Sequence, residues 1–548
     1  MARVIVTSAL PYAYSMPHLG NFVGSVLPAD VYYKYLRMKG DDAIFICGSD
    51  QHGTPIELAA LQKGVAPEQL ADEMHAAIKS LYDKYECGFT HYGKTHTPEN
   101  KEVVYSVFNE LYRNGYILET EDMQAYCNVD KRFLPDRFIQ GTCPYCHTKN
   151  ARGDQCDNCG RLLEPGQIID PFCVVCGKSD ISFVKSKNLA LDLTKLQDKI
   201  KAFIKENSKN NWSKDAVNKS LSMIKQGLKP RDITRNMKWG FPVPLAGYEN
   251  ATLYVWFDAV LGYIGITKEW DPKRWRDYWQ NEHTQLVQFM GKDNTIFHSI
   301  MWPAMLIGSN LGFVLPYTLK ISQHLTSKEV KFSKSKGVGL NMRNALEIMP
   351  ADCWRFALMH SAPENADSEF TKEVLEETVN TILNDKIGNF VQRTLKLALA
   401  NKALVEGGVV PSSEKKVAVE LERYADAFDS LQFKKAVAAL VGLAEQGNRI
   451  MSDREPWLLA KAAKNDAKAA KEAKDVLSSL IAITYALGVM LHPFTPEASK
   501  KLLAHFKVGG EPTLALLGKT IELDIEKEPH PLFAKLTQKE LEKLQKYA

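Results

Sequence analysis

Two short stretches carry residue types suited to polyphosphate chemistry. His18-Leu19-Gly20-Asn21 sets an imidazole, a bare backbone and a side-chain amide within four residues. At the start of a helix such a group offers N–H donors and a positive dipole end to an anion. Lys331-Phe332-Ser333-Lys334-Ser335-Lys336-Gly337 places three lysines in a Ser/Gly-rich loop, flexible ammonium groups that can close over phosphates. Neither is diagnostic alone, since a loop histidine is commonly incidental and a lysine run is commonly a solvated face. The dinucleotide pattern G-x-G-x-x-G is absent from the first of these turns.

Sulfur supplies the third pattern. Of ten cysteines, six form Cys-x-x-Cys pairs between positions 143 and 176. Cys143-Pro-Tyr-Cys146 and Cys156-Asp-Asn-Cys159, nine residues apart, put four thiolates on two short turns, which suits tetrahedral zinc. A thioredoxin-like redox pair would come singly, beside a βαβ unit. Cys173-Val-Val-Cys176 has no partner pair, but Cys127-Asn-Val-Asp130 upstream could complete a second set with a carboxylate oxygen replacing one sulfur. The alternative is an empty, reduced knuckle held by packing.

These groups need elements to position them. Residues 4–8 read as a buried strand, 21–37 as a mostly apolar helix and 43–47 as a second strand, a βαβ unit. His18 then falls at the carboxyl edge of the sheet, where open α/β folds bind ligands. Similar apolar runs return at 285–290 and 318–322, as if one parallel sheet were split by the cysteine-bearing insertion. After Glu369 the pattern turns helical, with long periodic segments at 379–403 and 476–490, so a helical bundle should follow. Polar breaks at 206–214 and 407–416 suit loops, and the Ala/Lys-rich run 461–474 suits a solvated helix face. The expected fold is α/β: a Rossmann-type parallel sheet split by a zinc-knuckle insertion, then an α-helical bundle. The expected divisions are 1–115, 116–230, 231–325, 326–375 and 376–548.

Composition limits the functional classes. At 548 residues, 45% apolar and 24% charged, the chain is neither collagen-like, coiled-coil nor disordered. Its formal charge of +4, from 69 basic and 65 acidic residues, is too balanced for a broadly basic nucleic-acid surface, so any RNA contact must be local. Charged or polar residues interrupt every hydrophobic run, so no membrane span is expected. Residues 1–10 read as a strand and not as a signal peptide, and a cytoplasmic location is expected.

The two phosphate-binding stretches in a split sheet resemble the class I aminoacyl-tRNA synthetases, whose signatures HIGH and KMSKS read here HLGN and KFSKS. Further segments are similar to the methionyl branch of that class, over essentially the whole chain. They are Ala9-Leu10-Pro11-Tyr12, the stretch 48–55 around Asp50-Gln51-His52, Tyr254-Val255-Trp256-Phe257-Asp258-Ala259, Gly262-Tyr263, Gly291-Lys292-Asp293, Phe297-His298 and Trp302-Pro303. The short zinc-bearing insertion also resembles that branch and leaves no room for an editing domain.

The resemblance implies L-methionine, ATP with Mg²⁺, and tRNA(Met), initiator and elongator, as partners. Methionine carboxylate would attack the α-phosphorus, releasing pyrophosphate, before the terminal adenosine hydroxyl of tRNA takes the acyl group. His18, Asn21, Lys331 and Lys334 would be the catalytic groups. Gly20, Gly291 and Asp293, with His18, Asn21 and Lys334, would hold ATP. Ala9, Leu10, Tyr12, Asp50, Trp256, Ala259, Tyr263 and His298 would hold methionine, with Asp50 on its α-ammonium. Trp302 is a candidate either for the lining or for the core, and Asp258 is expected to be structural.

Two departures are Asn21, where the family signature ends in His, and Phe332 for Met. Asn21 keeps a donor for phosphate, and Phe332 stands where packing is expected. Asp385, Asn389 and Arg393 fall at i, i+4 and i+8 opposite Ile387, Phe390 and Val391, one polar stripe. Pro456-Trp457 resembles the family's anticodon-stacking tryptophan. Asn389, Arg393 and Trp457 are therefore the expected anticodon readers. The competing readings are a cysteine-specific synthetase, which would need zinc in its amino-acid pocket, and an RNA-binding zinc protein on a decayed fold. A monomer is expected.

Overall fold

The computed structural model describes residues 2–547 except 136, 137, 154, 155, 157, 160, 162, 164, 328, 329, 332–339, 406 and 525. Lys334 lies outside the described residues, and of Lys331 only the backbone is described, in the short strand Val330–Lys331.

Five strands, Arg3–Ser8, Asp42–Ser49, His91–Lys94, Thr284–Gly291 and Pro316–Ser322, form one parallel sheet. In space the order is fifth, fourth, first, second, third. Ile5 pairs with both Ile44 and Leu286. The first strand is buried from Val4 to Ser8, as a continuous apolar run should be when both faces are covered. Strand order reverses between the first and fourth strands, which makes their carboxyl ends the switch point where such sheets bind ligands.

The insertion between the third and fourth strands is built on two long antiparallel strands, Ile117–Cys127 and Ile181–Leu191, in register from Ile117↔Leu191 to Cys127↔Ile181. Cys127 thus stands at the tip of a stalk, beside the other cysteine turns.

The C-terminal part is helical. The segments Lys372–Glu376, Glu377–Gly388 and Asn389–Ala400 run on from one another, Phe433–Arg454 and Ala467–Leu491 pack against them, and Lys415–Asp429 packs on those two helices. A Cβ on Gly447 would lie 2.3 Å from the Phe390 ring, so glycine permits this close crossing. Ala467–Leu491 is, among the described residues, the one helix long and apolar enough to cross a membrane by length and mean hydropathy, although Ser478, Ser479 and Thr484 interrupt its apolar run. Its apolar window is 78% buried within the protein, as the apolar stretch of a helix running through a bundle core should be. The run 461–474 is not one helix face. Helix Pro456–Ala462 ends, and Asp466 caps the next by accepting from the Lys468 N–H at 2.8 Å, because an Asp cap outcompetes helix continuation.

A buried ion cluster ties the bundle to the sheet. Arg355 pairs with Asp30 at 2.6 Å and donates to the carbonyls of Tyr85, Pro493 and Phe494. Lys34 also reaches Asp30 at 2.6 Å. Asp30 and Lys34 lie on Leu27–Lys39, in line with the turn at His18.

Candidate active site

A cavity of about 360 Å³ opens at the switch point. Ala9, Leu10, Tyr12, His18, Gly20, Asn21, Asp50, Trp256, Ala259, Tyr263, Gly291, Asp293 and His298 all line it. Residues far apart in the chain are therefore gathered as expected, except Lys331 and Lys334, whose side chains lie outside the description. Of the two readings open for Trp302, the structure shows the core one: it is fully buried behind the wall, 5.4 Å from the Tyr263 ring, and does not line the cavity. Its bulk fits a core packing role better than contact with a ligand.

His18 and Asn21 cap each other. The Asn21 N–H donates to His18 Nδ1 at 3.1 Å, and the His18 N–H donates to Asn21 Oδ1 at 3.2 Å. With its oxygen so engaged, Asn21 turns its NH₂ to other acceptors. The exchange of His for Asn thus supplies a capping box and keeps a donor at the helix start. The same turn is sewn to the exit of the lysine loop: the Leu19 N–H donates to Leu340 O at 3.1 Å and the Met342 N–H to Pro17 O at 3.2 Å. The His18 turn and the segment from Leu340 to Met342, more than 300 residues apart in sequence, are thereby joined through backbone hydrogen bonds.

The inner end of the cavity is aromatic. Trp256 stacks on Phe297 at 3.8 Å, and Tyr263 donates its hydroxyl hydrogen to His298 Nε2 at 3.1 Å. His298 Nδ1 lies 3.1 Å from Asn294 O, so Nδ1 carries the hydrogen and Nε2 accepts. Burial lowers this imidazole to about 4, leaving it neutral. Asp50 is buried, and its carboxyl is pushed well above the ordinary carboxylate range by desolvation, with the charge of Asp258 adding to the effect. A ligand cation would relieve that strain.

Sequence reasoning missed Tyr14, Ser25, Asn294, Gln323, His324 and Leu325, which also line the cavity. Ser25 had a signal: it follows Asn21 by four residues and donates to the Asn21 carbonyl at 3.1 Å. Gln323 and His324 follow the last strand directly, where the switch-point rule predicts contact. Two wide-turn π stretches, Phe22–Val26 and Phe297–Met301, border the cavity, a distortion often found at functional sites.

Comparison with known proteins settles the family. Residues 4–395 match the family of class I tRNA synthetases (M), and residues 406–547 match the anticodon binding domain of methionyl tRNA ligase. The chain belongs to the methionyl-tRNA synthetases. The methionine–tRNA ligase of Ignicoccus hospitalis is 40% identical, over 99% of this chain and 97% of that one. The ligase of Aeropyrum pernix is 39% identical over 93% and 90%. The structure of Mycobacterium tuberculosis methionyl-tRNA synthetase bound by methionyl-adenylate shares the fold, with a TM-score of 0.77 at 20% identity, covering 97% of this chain and all of that one. As a methionine–tRNA ligase, the protein activates methionine with ATP and transfers it to tRNA.

In this methionyl-tRNA synthetase the cysteine turns form two four-ligand sets, each with its ligand atoms within 4.8 Å of one another. A zinc tetrahedron with Zn–S of about 2.3 Å has edges of about 3.8 Å. Cys143 and Cys159 are 3.9 Å apart and Cys146 and Cys156 3.6 Å apart, so the first set fits. In the second, Cys127 and Cys176 are 3.6 Å apart, and Cys173 donates to Asp130 Oδ2 at 3.1 Å. The Asp130 turn copies the cysteine turns: the next residue, Lys131, has φ +50°, as His147 has +57° after Cys146 and Gly177 has +71° after Cys176.

The synthetase's bundle carries the expected stripe. Asn389 and Arg393 are exposed, Asn389 donates to Asp385 at 3.1 Å, and Asp385 is also held by Lys535 at 2.7 Å. Glu455, at φ +40°, breaks the chain between Phe433–Arg454 and Pro456–Ala462. Trp457 beyond it is 41% exposed, and the Arg393 guanidinium lies 5.8 Å from its ring.

Proposed function

We propose that the cavity holds methionine and MgATP side by side and joins them as methionyl-adenylate, which tRNA(Met), initiator and elongator, then discharges at its 3′ end. Co-location carries this reading: an anion-binding turn, a buried carboxylate and an aromatic recess line one cavity at the switch point. Asp50 takes the α-ammonium. The thioether enters the recess of Trp256, Tyr263 and neutral His298, with Ala9, Leu10, Tyr12 and Ala259 completing its wall. Sulfur–aromatic contacts of about 0.3–1.5 kcal/mol each favour it there, and no charge from His298 opposes it.

Gly20, Gly291 and Asp293 border the nucleotide. His18 and the Asn21 amide, with Lys331 and Lys334 from the loop, meet the phosphates. Negative charge moves onto the leaving pyrophosphate as the methionine carboxylate attacks, so donors fixed there stabilise the transition state more than bound ATP. No covalent protein nucleophile is required. ATP–pyrophosphate exchange across a panel of amino acids tests the assignment. Exchange confined to methionine supports it, whereas exchange with cysteine, or none, overturns it.

Asn389, Arg393 and Trp457 read the anticodon in this proposal, an exposed ring beside a guanidinium being suited to an unstacked base. Both cysteine sets hold structural zinc, which would pin the turns at the tip of the stalk. Metal analysis should find about two zinc per chain, falling by one in Cys173→Ser; one in both proteins would refute the second site. The domain divisions expected from sequence follow these roles. With ten thiols to keep reduced, the enzyme works in the cytoplasm. It works as a monomer, because cavity and stripe are each complete within one chain, and light scattering at 61.6 kDa checks this.

A further inference from the structure

One residue touches both buried carboxylates at the base of the cavity. The His52 backbone N–H donates to Asp50 Oδ1 at 3.1 Å, and its ring Nδ1 bonds Asp258 Oδ2. Its Nε2 lies 2.7 Å from His96 Nδ1. Asp50, His52 and Asp258 are 3%, 1% and 0% exposed. Two carboxylates this deep cannot both stay charged without a cation between them, and the only cation the substrate brings is its α-ammonium. Asp258 sits in the first turn of Val255–Trp270, which also carries Trp256 and Ala259 to the cavity wall.

We propose that His52 is a positioning residue for methionine activation: its imidazolium neutralises Asp258, so that Asp50 keeps its negative charge for the α-ammonium. This rests on the reading of Asp50 given above. His96 orients the ring from the other side and is itself held against Trp239 and Phe241. The charged groups facing His96 are Glu68, Asp72 and Lys94, and Asp72 and Lys94 are paired with each other at 2.7 Å. Burial is the main cause that raises the Asp50 carboxyl, and Asp258 is the one charged group that adds to the rise, while the His52 backbone N–H opposes it.

Charge balance makes the test specific. His52→Gln keeps an N–H for Asp258 and similar bulk but has no positive charge, so the fold should survive. In the full-length enzyme it should raise the methionine KM for ATP–pyrophosphate exchange by about tenfold or more, a shift of one pKa unit in Asp50 being worth tenfold, while the ATP KM stays within about twofold. Adding Asp258→Asn removes the charge that needs balancing. The double variant should return the methionine KM to within about threefold of the parent enzyme. A purely structural role predicts the reverse, with Gln tolerated and the double variant worse than either single change. A parent-like KM in His52→Gln, or a double variant no better than it, overturns the proposal. Asp50→Asn run alongside separates the two readings: if it too leaves the methionine KM unchanged, the assignment of Asp50 itself has failed.

Discussion

The cavity and the Trp457 stripe bind their partners on opposite terms. In the cavity, His18, Asp50, Tyr263 and His298 are all less than a tenth exposed and already hydrogen-bonded within the protein. On the stripe, Asn389 and Arg393 are exposed and Trp457 is 41% exposed, leaving apolar area to be covered by a partner. Bond-making chemistry needs donors fixed before charge moves, because reorganisation during the step would cost rate. Recognition of a loop base gains from surface still to be buried and tolerates adjustment on binding.

The sharpest way to break this comparison is Lys334→Ala. If the loop stabilises the transition state, adenylate formation should fall by about 10²–10³-fold with the methionine KM little changed. Lost methionine affinity with intact turnover would remove the loop from the chemistry.

A second consequence follows from the buried imidazole of the cavity wall. An unfolded histidine takes up a proton as pH falls through about 6.5, whereas burial holds His298 neutral to about 4. Between those values the unfolded state binds more protons, so stability declines on acidification, by about 3 kcal/mol at the lower end. Denaturant melts from pH 7 to 4 should show this slope, and His298→Asn should make it shallower without abolishing it, because burial lowers His492 likewise to about 4.

On the stripe, Trp457→Ala should cost about 1–3 kcal/mol in aminoacylation of tRNA and leave methionine activation within about twofold. Equal losses in both assays would make Trp457 a packing residue and erase the contrast. Asn389→Ala should be milder, about 0.5–1.5 kcal/mol in the tRNA-dependent step. A loss as large as that of Trp457 would mean that hydrogen bonding, and not stacking, dominates the surface.

Much of the cavity was legible because its residues sit in short segments whose order along the chain is unusual. The resemblance picks out His18, Asp50, Trp256, Tyr263, Gly291 and His298, all of which line the cavity, and cysteine spacing alone picks out the Cys143–Cys159 turns. What stayed illegible depended on neighbours in space. Trp302 reads like its companions Tyr263 and His298 in sequence, yet packing puts it behind the wall. Helix Ala467–Leu491 looks long and apolar enough for a membrane until its surroundings show that most of its apolar stretch is covered by the bundle.

By itself, the sequence determined the local chemistry: thiolates paired on turns, an imidazole and amide at a helix start, lysines in a loop, and strands written as continuous apolar runs. Those depend on covalent spacing and local propensity, which the order of residues carries. Only the tertiary structure decided that His52 reaches both Asp50 and Asp258, that the His18 turn is sewn to the exit of the lysine loop, and that Arg355 locks the bundle onto Asp30. The His52–Asp258, Leu19–Leu340 and Arg355–Asp30 contacts each join residues about 200 or more apart in sequence, whereas His52 and Asp50 are near neighbours. Contacts at that separation are set by how buried charges find partners when elements pack, a condition on the whole fold that no local pattern encodes.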